Sequence, residues 1–442
     1  FISTIFVVLC GSAKVMPRER IELAAVPTVS PDGKQFGFVW HGDIWIAPIK
    51  GGNARQITSH PAEDHWPCWS PNGKQIAFTS KRDGYWNIYI IPTTGGVPSK
   101  LTEHSEGYTP LEWYPDGTGI LTKVRRDYLG FDSTRLLRVD INGSADDEIL
   151  FDAYARHGTM SPDSTKTLFI REGGNMLYRK GYRGSRSSQI WLHDSDTKEF
   201  KQICVENYGC RSPLWKPDGL GFYFVCDKNG TFNLWEKDFS TSSTKQLTYF
   251  KNDSVIMPSI SRDGGTIIFR KGFDFYKYYP NSGKEPLKVN LWRRQDGLLD
   301  PSRRRWYDAA WNNDARQGLG WTDDFLEVAF TAGGDVWVMD TVLREPRLVC
   351  GETRSHETEV VFGPENEEIW FLRDFGDRTE IWKSVRKNKD AFWFENDKFT
   401  LSQFSSIKDR TNKNRLSLSP DGKTLAFCRD TGDLIVTATD KY

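Results

Sequence analysis

The sequence predicts an all-β protein built from β-propeller blades, and three observations support this prediction. A turn motif, Ser-Pro-Asp-Gly, is complete at residues 30–33 and 419–422 and recurs in seven altered copies. A short run of alternating apolar and polar residues, a pattern typical of strands, follows the motif. Successive copies are 40 to 60 residues apart, and a blade of four strands takes roughly 40–50 residues.

The elements of one unit follow from its residues in order. In the turn, proline fixes φ, aspartate accepts bonds from its own backbone, and glycine takes a positive φ. The first unit continues with a strand at residues 35–39, a strand containing Asp43-Ile44-Trp45, a Gly51-Gly52 turn and a last strand at 55–58. Four short antiparallel strands per unit are typical of a propeller blade.

Nine units are too many for one ring, because closed propellers usually have four to eight blades. We therefore expect a six-bladed β-propeller at residues 21–308 and the first three blades of a second, incomplete propeller at 309–442. The longest step between copies, with the basic segment 301–307, marks the boundary. Three blades leave an open sheet edge, and the chain begins without Met, so we expect the sequence to be a fragment of a longer protein.

The composition favours some locations and partners over others. The net charge of zero gives no indication of nucleic-acid binding. Residues 1–10 are almost entirely apolar and are followed by small residues, so residues 1–20 are predicted to be a truncated signal peptide, too short to span a membrane. Export, to the periplasm, is the favoured interpretation; an N-terminal strand in a cytoplasmic protein is the alternative.

The sequence contains no recognisable catalytic motif. A Gly-x-Ser-x-Gly elbow, a His-Glu-x-x-His motif, a Walker-type loop and a dinucleotide fingerprint are all absent. We therefore predict no catalytic residues, no metal and no cofactor in this chain. The cluster of His60, Glu63, Asp64 and His65 resembles a metal site, but its place between two blades favours a structural role.

The cysteines allow one disulfide but do not require it. Cys204 and Cys210 are close enough in sequence to form a hairpin disulfide in an exported protein, and reduced thiols are the favoured interpretation. Cys226 and Cys428 lie in strand patterns and are predicted to be buried apolar residues.

Two basic clusters lie in insertions between strands. Arg125 and Arg126 belong to the third unit, and residues 179–185 belong to the fourth. Guanidinium groups bind carboxylates in a bidentate manner, including the C-terminus of a peptide. Arg125 and Arg126 are the candidate substrate-binding residues, with solvated or acid-paired side chains as the alternative. Tyr182 and Arg183 are interpreted as packing residues.

Several of these features together resemble the tricorn protease family. They are the Ser-Pro-Asp-Gly-Lys units with Asp43-Ile44-Trp45, residues 179–185 followed by 188–191, and residues 304–308 ahead of a new propeller with 335–340. The resemblance implies a six-bladed propeller, then a seven-bladed one, a PDZ-like module and a serine peptidase core. It implies that this chain gates and positions peptide substrates for a downstream peptidase domain, with Arg125 and Arg126 anchoring the C-terminal carboxylate. The oligomeric state stays open, with a homo-oligomer as one possibility.

Two other functions stay open at this point. One is a non-catalytic, exported TolB-like propeller that binds protein partners. The other is the propeller half of a prolyl-oligopeptidase-type enzyme, which nine units make less suitable because such an enzyme has one propeller.

Overall fold

The computed structural model describes residues 18–126, 134–142, 147–172, 181–184, 187–204, 208–294, 319–351, 355–375, 378–405, 411–419 and 421–429. Most of the predicted leader and the whole basic segment 301–307 lie outside these residues. The described part is all-β, as predicted, and its helical elements are two 3-10 turns, Pro280–Ser282 and Pro364–Asn366. None of its helical segments has the length and apolar character needed to cross a membrane.

Eight four-stranded antiparallel sheets follow one another along the described chain, and we number them I to VIII. Sheets I to III consist of β2 (Ala25–Val29), β3 (Gln35–Trp40), β4 (Asp43–Pro48) and β6 (Arg55–Gln56); β7 (Asp64–Trp69), β8 (Gln75–Ser80), β9 (Asn87–Pro92) and β10 (Ser99–Lys100); and β11 (Thr109–Trp113), β12 (Gly119–Val124), β13 (Arg135–Asp140) and β14 (Glu148–Ile149).

Sheets IV to VI repeat this arrangement, with the strands again side by side in chain order. They consist of β15 (His157–Met160), β16 (Lys166–Arg171), β17 (Gln189–Asp194) and β18 (Phe200–Gln202); β19 (Cys210–Trp215), β20 (Gly221–Cys226), β21 (Asn233–Asp238) and β22 (Thr244–Gln246); and β23 (Ile256–Ile260), β24 (Ile267–Lys271), β25 (Asp274–Tyr278) and β26 (Leu287–Val289).

Sheets VII and VIII and two smaller sheets complete the described structure. Sheets VII and VIII consist of β28 (Leu319–Trp321), β29 (Glu327–Ala332), β30 (Asp335–Asp340) and β31 (Pro346–Cys350); and β32 (His356–Phe362), β33 (Glu368–Asp374), β34 (Thr379–Arg386) and β35 (Phe399–Gln403). The smaller sheets are β36 (Lys413–Leu418) with β37 (Leu425–Arg429), and β1 (Arg18–Arg20) with β27 (Leu291–Arg294) and β5 (Gly52–Asn53).

The turn motif has the hydrogen bonds that its residues predict. The Ser30 hydroxyl donates to Asp32 Oδ1 (2.7 Å) and accepts from the backbone N–H of Gln35 (3.0 Å). The next turn packs against it, because a Cβ added at Gly73 would lie 3.8 Å from the Pro31 ring. Glycine is required at Gly73 for its φ of +69°, whereas the Pro31 ring lies at an ordinary van der Waals distance. The recurring proline thus also contributes a contact between sheets.

We call the first strand of a sheet its inner strand. The inner strands of sheets I, II, III, V and VI carry a second proline that the sequence analysis did not use. Val26 and Trp66 have positive φ values of 51° and 52° and precede Pro27 and Pro67. The register of both inner strands shifts at this point, as in a β-bulge. An inner strand has a ladder partner on one side only, so a residue without an N–H is tolerated there.

The inner strands are also tied to one another by indole groups. Nε1 of Trp69 donates to the carbonyl of Thr28 (3.0 Å), and Nε1 of Trp113 donates to that of Cys68 (3.2 Å). Nε1 of Trp215 donates in the same way to the carbonyl of Thr159 (3.1 Å). Each bond joins one sheet to the sheet before it.

Buried apolar side chains fill the space between neighbouring sheets. Separate clusters lie between sheets I and II, II and III, III and IV, IV and V, and V and VI. A further cluster joins sheet VI to sheet I, where the rings of Phe36 and Phe275 are 5.4 Å apart. The N–H of Val29 also donates to the Ser259 hydroxyl (3.1 Å). Sheet I thus packs directly against sheet VI, and each of the two keeps all four of its own strands.

Candidate functional site

The inner strands of sheets I to VI line one cavity of about 610 Å³. Each inner strand runs along the cavity wall and ends in the turn motif, so one end of the cavity is formed by the turns. We call this the turn end; it is defined by Pro31, Pro71, Pro115, Pro162, Pro217 and Arg262. The opposite end, where the inner strands begin, is called the basic end and is defined by Lys123, Arg125 and Arg156.

The basic end follows from the antiparallel pairing in sheet III. Lys123, near the end of β12, pairs with Thr109 at the start of β11. Arg125 follows two residues later, and Arg156 precedes the inner strand of sheet IV. Three cationic side chains from two sheets therefore meet at one end of the cavity.

Two groups at the basic end have shifted pKa values. Burial, together with the positive charges of Arg156 and Arg125, lowers the pKa of Lys123 to about 8. Burial and the charge of Lys123 lower the pKa of His157 to about 4. Near pH 7 Lys123 is therefore mostly charged and His157 is neutral, so the basic end suits an anionic group.

The structure gives the two predicted substrate-binding arginines different surroundings. Arg125 is exposed and lines the cavity. Arg126 donates through Nη1 to Asp147 Oδ2 (2.7 Å), and its guanidinium lies 4.5 Å from the ring centre of Tyr108. The Arg126 side chain is thus held by the Asp147 carboxylate and by the Tyr108 ring.

Glu112 is a cavity-wall residue that the sequence analysis missed. Its carboxylate accepts from the Thr159 hydroxyl (2.9 Å) and from the N–H of Met160, so it joins sheet III to sheet IV. Burial raises the pKa of Glu112 to about 7. A signal was present in the sequence: the fourth unit has Met160 where its neighbours have Trp113 and Trp215, and Glu112 supplies the missing contact.

Arg262 crosses the turn end. It occupies the position that proline has in the five preceding turns. Its backbone N–H donates to the carbonyl of Pro31 (3.1 Å), and its Nη2 donates to the carbonyl of Pro115 (3.3 Å). One side chain of sheet VI therefore contacts sheet III, three sheets further along, across the mouth of the cavity.

The residues that resembled a metal site are separated by their hydrogen bonds. His60 Nδ1 accepts from the N–H of Ala62 (3.0 Å). Both oxygens of the buried Asp64 carboxylate accept from Nη2 of Arg82 (3.0 and 3.1 Å), and His65 is buried. Among the residues that the structure describes, no group of three or more His, Cys, Asp or Glu side chains could hold a metal ion.

The cysteine predictions had different outcomes. Cys204 and Cys210 are both free thiols, and Cys210 lies opposite Cys226, which is buried as predicted. The prediction that Cys428 is buried was wrong, because the residue is exposed. Its strand β37 pairs with β36, and within the described part of the chain no further strand covers it.

The second basic cluster is partly described. Residues 179, 180 and 185 lie outside the described part. Arg183 Nη1 donates to Asp227 Oδ2 (2.8 Å), and the Tyr182 carbonyl accepts from the Ser187 hydroxyl (3.1 Å). These contacts agree with the packing role expected for Tyr182 and Arg183.

Comparison with known proteins agrees with this architecture. The family described as the tricorn protease N-terminal β-propeller domain matches residues 22–284, more than half of the chain. Tricorn protease homolog 1 of Streptomyces coelicolor is 25% identical over 265 residues, covering 59% of this chain and 24% of that protein. The tricorn protease homolog of Saccharolobus solfataricus is 23% identical over 271 residues, covering 59% and 24%.

A solved structure extends the comparison over most of the chain. The crystal structure of the tricorn protease superposes with a TM-score of 0.52 at 19% identity, covering 92% of this chain and 37% of that one. This chain thus spans about a quarter of the length of the tricorn protease homologues that it matches. The resemblance seen in the sequence is confirmed: the chain belongs to the tricorn protease family and contains its N-terminal β-propeller domain.

Proposed function

We propose that this chain is the substrate-gating and positioning region of a tricorn-like serine peptidase that degrades peptides, with the catalytic domain elsewhere in the complete protein. The observation that carries the proposal is that the two ends of the cavity differ. The basic end carries Lys123, Arg125 and Arg156, whereas the turn end is crossed by Arg262. Such a cavity orients an extended peptide, because the peptide's C-terminal carboxylate is attracted more strongly to the three cationic side chains of the basic end than to Arg262, whose guanidinium already donates to the carbonyl of Pro115.

We further propose the blade count that underlies the cavity. Sheets I to VI form a six-bladed propeller at residues 21–308, and the later sheets begin a propeller of the seven-bladed type at 309–442. The apolar cluster between sheets VI and I supports closure of the first ring. A disulfide between Val29→Cys and Ser259→Cys tests it: we expect oxidation to join the two residues within one chain, and failure to join them under conditions that oxidise other engineered pairs would contradict closure.

Arg125 is the proposed contact for the peptide's carboxylate, and Arg126 is proposed to hold the segment that presents it. Arg125 lines the cavity beside Lys123, whose charge adds to the attraction. Arg126 is bound to Asp147. A guanidinium forms paired, charge-assisted bonds with a carboxylate, and these are stronger than bonds between neutral groups.

Binding of matched peptides to the 442-residue chain tests this assignment. We expect a fluorescent peptide with a free C-terminus to bind more tightly than the same peptide amidated. Arg125→Ala should remove most of that difference. Arg55→Ala is the matched control, because Arg55 is an exposed arginine that bonds to the carbonyls of Thr93 and Thr94. Equal losses for both peptides in Arg125→Ala would refute the carboxylate contact.

We also propose that the protein is exported, on the basis of the apolar residues 1–10. Residues 1–20, placed behind a start methionine, should direct an alkaline phosphatase reporter to the periplasm. Reporter activity confined to the cytoplasm would contradict export.

A further inference from the structure

Three cysteines lie together where the chain passes from sheet IV to sheet V. Cys204 follows the outer strand of sheet IV, Cys210 begins the inner strand of sheet V, and Cys226 ends the second strand of that sheet. Cys210 interacts with the thiols of both Cys204 and Cys226. Cys68 and Cys350 are buried elsewhere in the molecule.

The geometry of Cys210 and Cys226 suits a disulfide. The two residues are direct partners in the ladder between β19 and β20, and their sulfur atoms are 3.1 Å apart. Directly opposed residues of antiparallel strands have Cα atoms about 4.5–5.5 Å apart, which lies inside the range that disulfides span. Both side chains are buried, so the pair is shielded from most reagents in solution.

Cys204 differs from the other two in its access to solvent. It is half-buried, whereas Cys210 and Cys226 are almost completely buried. Hydrogen bonds with the thiols of Cys204 and Cys226, together with burial, raise the pKa of Cys210. Because the thiolate is the reactive form of cysteine, an external disulfide should react first at the accessible Cys204.

We propose that these residues form a thiol–disulfide exchange site that ends in a Cys210–Cys226 disulfide, with Cys204 as the residue through which oxidation enters. The co-reactant is a small-molecule disulfide such as oxidised glutathione. The Cys204 thiolate attacks one glutathione sulfur, forms a mixed disulfide and releases the first glutathione. Cys210 then attacks the Cys204 sulfur and releases the second glutathione.

In the last step Cys226 attacks the Cys210 sulfur, forms the cross-strand disulfide and returns Cys204 to its thiolate. Two protein thiols lose two electrons in total and are oxidised, and one oxidised glutathione is reduced to two thiols. The two protein protons pass to the two released glutathione thiolates. This site is independent of the proposed peptidase function, and its disulfide differs from the Cys204–Cys210 pairing that the sequence allowed.

Peptide mapping of the 442-residue chain tests the proposal. The chain is oxidised with glutathione disulfide, remaining thiols are alkylated, and proteases that cleave after Lys, Arg and Glu separate the three cysteines, because Glu206 lies between Cys204 and Cys210. We expect the peptides of Cys210 and Cys226 to be linked and Cys204 to be alkylated. A final product linking Cys204 to Cys210, or alkylation of all three residues, would overturn the proposal.

Single variants test the order of the steps. Cys204→Ser should slow formation of the Cys210–Cys226 disulfide at least tenfold without changing the product. Cys226→Ala should leave the Cys204–Cys210 disulfide as the end product. Cys428→Ser is the matched control and should behave as the unmodified chain. If Cys226→Ala fails to fold, the rate of Cys210–Cys226 disulfide formation in Cys204→Ser still tests the proposed order. An unchanged rate would show that oxidation does not enter through Cys204.

Discussion

Nη2 of Arg262 donates a hydrogen bond of 3.3 Å to the backbone carbonyl of Pro115, across the turn end of the cavity. The two residues are 147 positions apart in the chain. A proline occupies the equivalent position in the five preceding turns, and its short ring could not cover this distance. Arg262 therefore narrows an opening that the other turns leave lined by proline rings.

Replacing Arg262 with Ala should open the turn end. Because the side chain is exposed and its acceptor is a neutral carbonyl, we expect the free energy of unfolding to fall by no more than about 1 kcal/mol. A bound fluorescent peptide should associate and dissociate several-fold faster, with little change in Kd. Stopped-flow fluorescence on the 442-residue chain measures both rates.

The companion variant for this experiment is Arg262→Ser, which also removes the side chain that crosses the cavity and keeps the backbone N–H that donates to the carbonyl of Pro31. It should accelerate the rates as Arg262→Ala does. Unchanged rates in both variants would show that Arg262 does not limit passage through the turn end.

Arg126→Ala should destabilise the protein more than Arg125→Ala. The first variant removes a half-buried ion pair with Asp147 and the contact with the Tyr108 ring, a loss of about 1 kcal/mol. Arg125 is exposed, and substitutions of exposed residues usually change stability by less. Thermal unfolding of both variants gives the comparison; an equal or larger loss in Arg125→Ala would contradict the different roles assigned to the two arginines.

This difference shows how far the sequence could predict the structure. The turns, strands and blades follow from residues close in the chain, because proline, aspartate and glycine act within four residues and alternation marks a strand. The hydrogen bonds of Ser30 and Asp32 confirm this reasoning. Nothing local distinguishes Arg125 from Arg126, since the distinction depends on Asp147 and on which residue faces the cavity.

The rest of the candidate site depends on contacts between distant sheets. Arg262 appeared in the sequence only as a departure from the turn motif, and its acceptor lies in sheet III. The sequence allowed Cys210 to pair with the nearby Cys204, but strand register brings Cys226 directly opposite Cys210. Residues whose partners are set by register or by packing between sheets could not be assigned before the sheets were placed.

Glu112 should make stability depend on pH between its ordinary and its raised pKa. In the unfolded chain the carboxyl loses its proton near 4.5, whereas in the folded protein it keeps the proton up to about pH 7. The folded state therefore binds more protons in this interval, and its free energy of unfolding falls as pH rises from about 4.5 to 7. The total change is about 3 kcal/mol at most.

Urea unfolding of the unmodified chain and of Glu112→Gln at several pH values isolates this effect. Glutamine is neutral throughout, and its carbonyl can still accept the bond from Met160. As pH rises, the free energy of unfolding of the unmodified chain should therefore fall relative to that of Glu112→Gln. A difference that stays constant from pH 4.5 to 7 would contradict the raised pKa.

Lys123 should make the binding of a peptide carboxylate depend on pH between 7 and 9. Its pKa of about 8, lowered from 10.5, means that the side chain loses its charge as pH rises from 7 to 9, while Arg125 and Arg156 stay charged. The affinity for a peptide with a free C-terminus should therefore fall several-fold over this interval, and that for the amidated peptide should change little. Lys123→Arg is the matched variant, because a guanidinium keeps its charge at pH 9 and should abolish the decline. Binding titrations with both peptides at pH 7, 8 and 9 measure the affinities. An equal decline in Lys123→Arg would assign the pH dependence to another group.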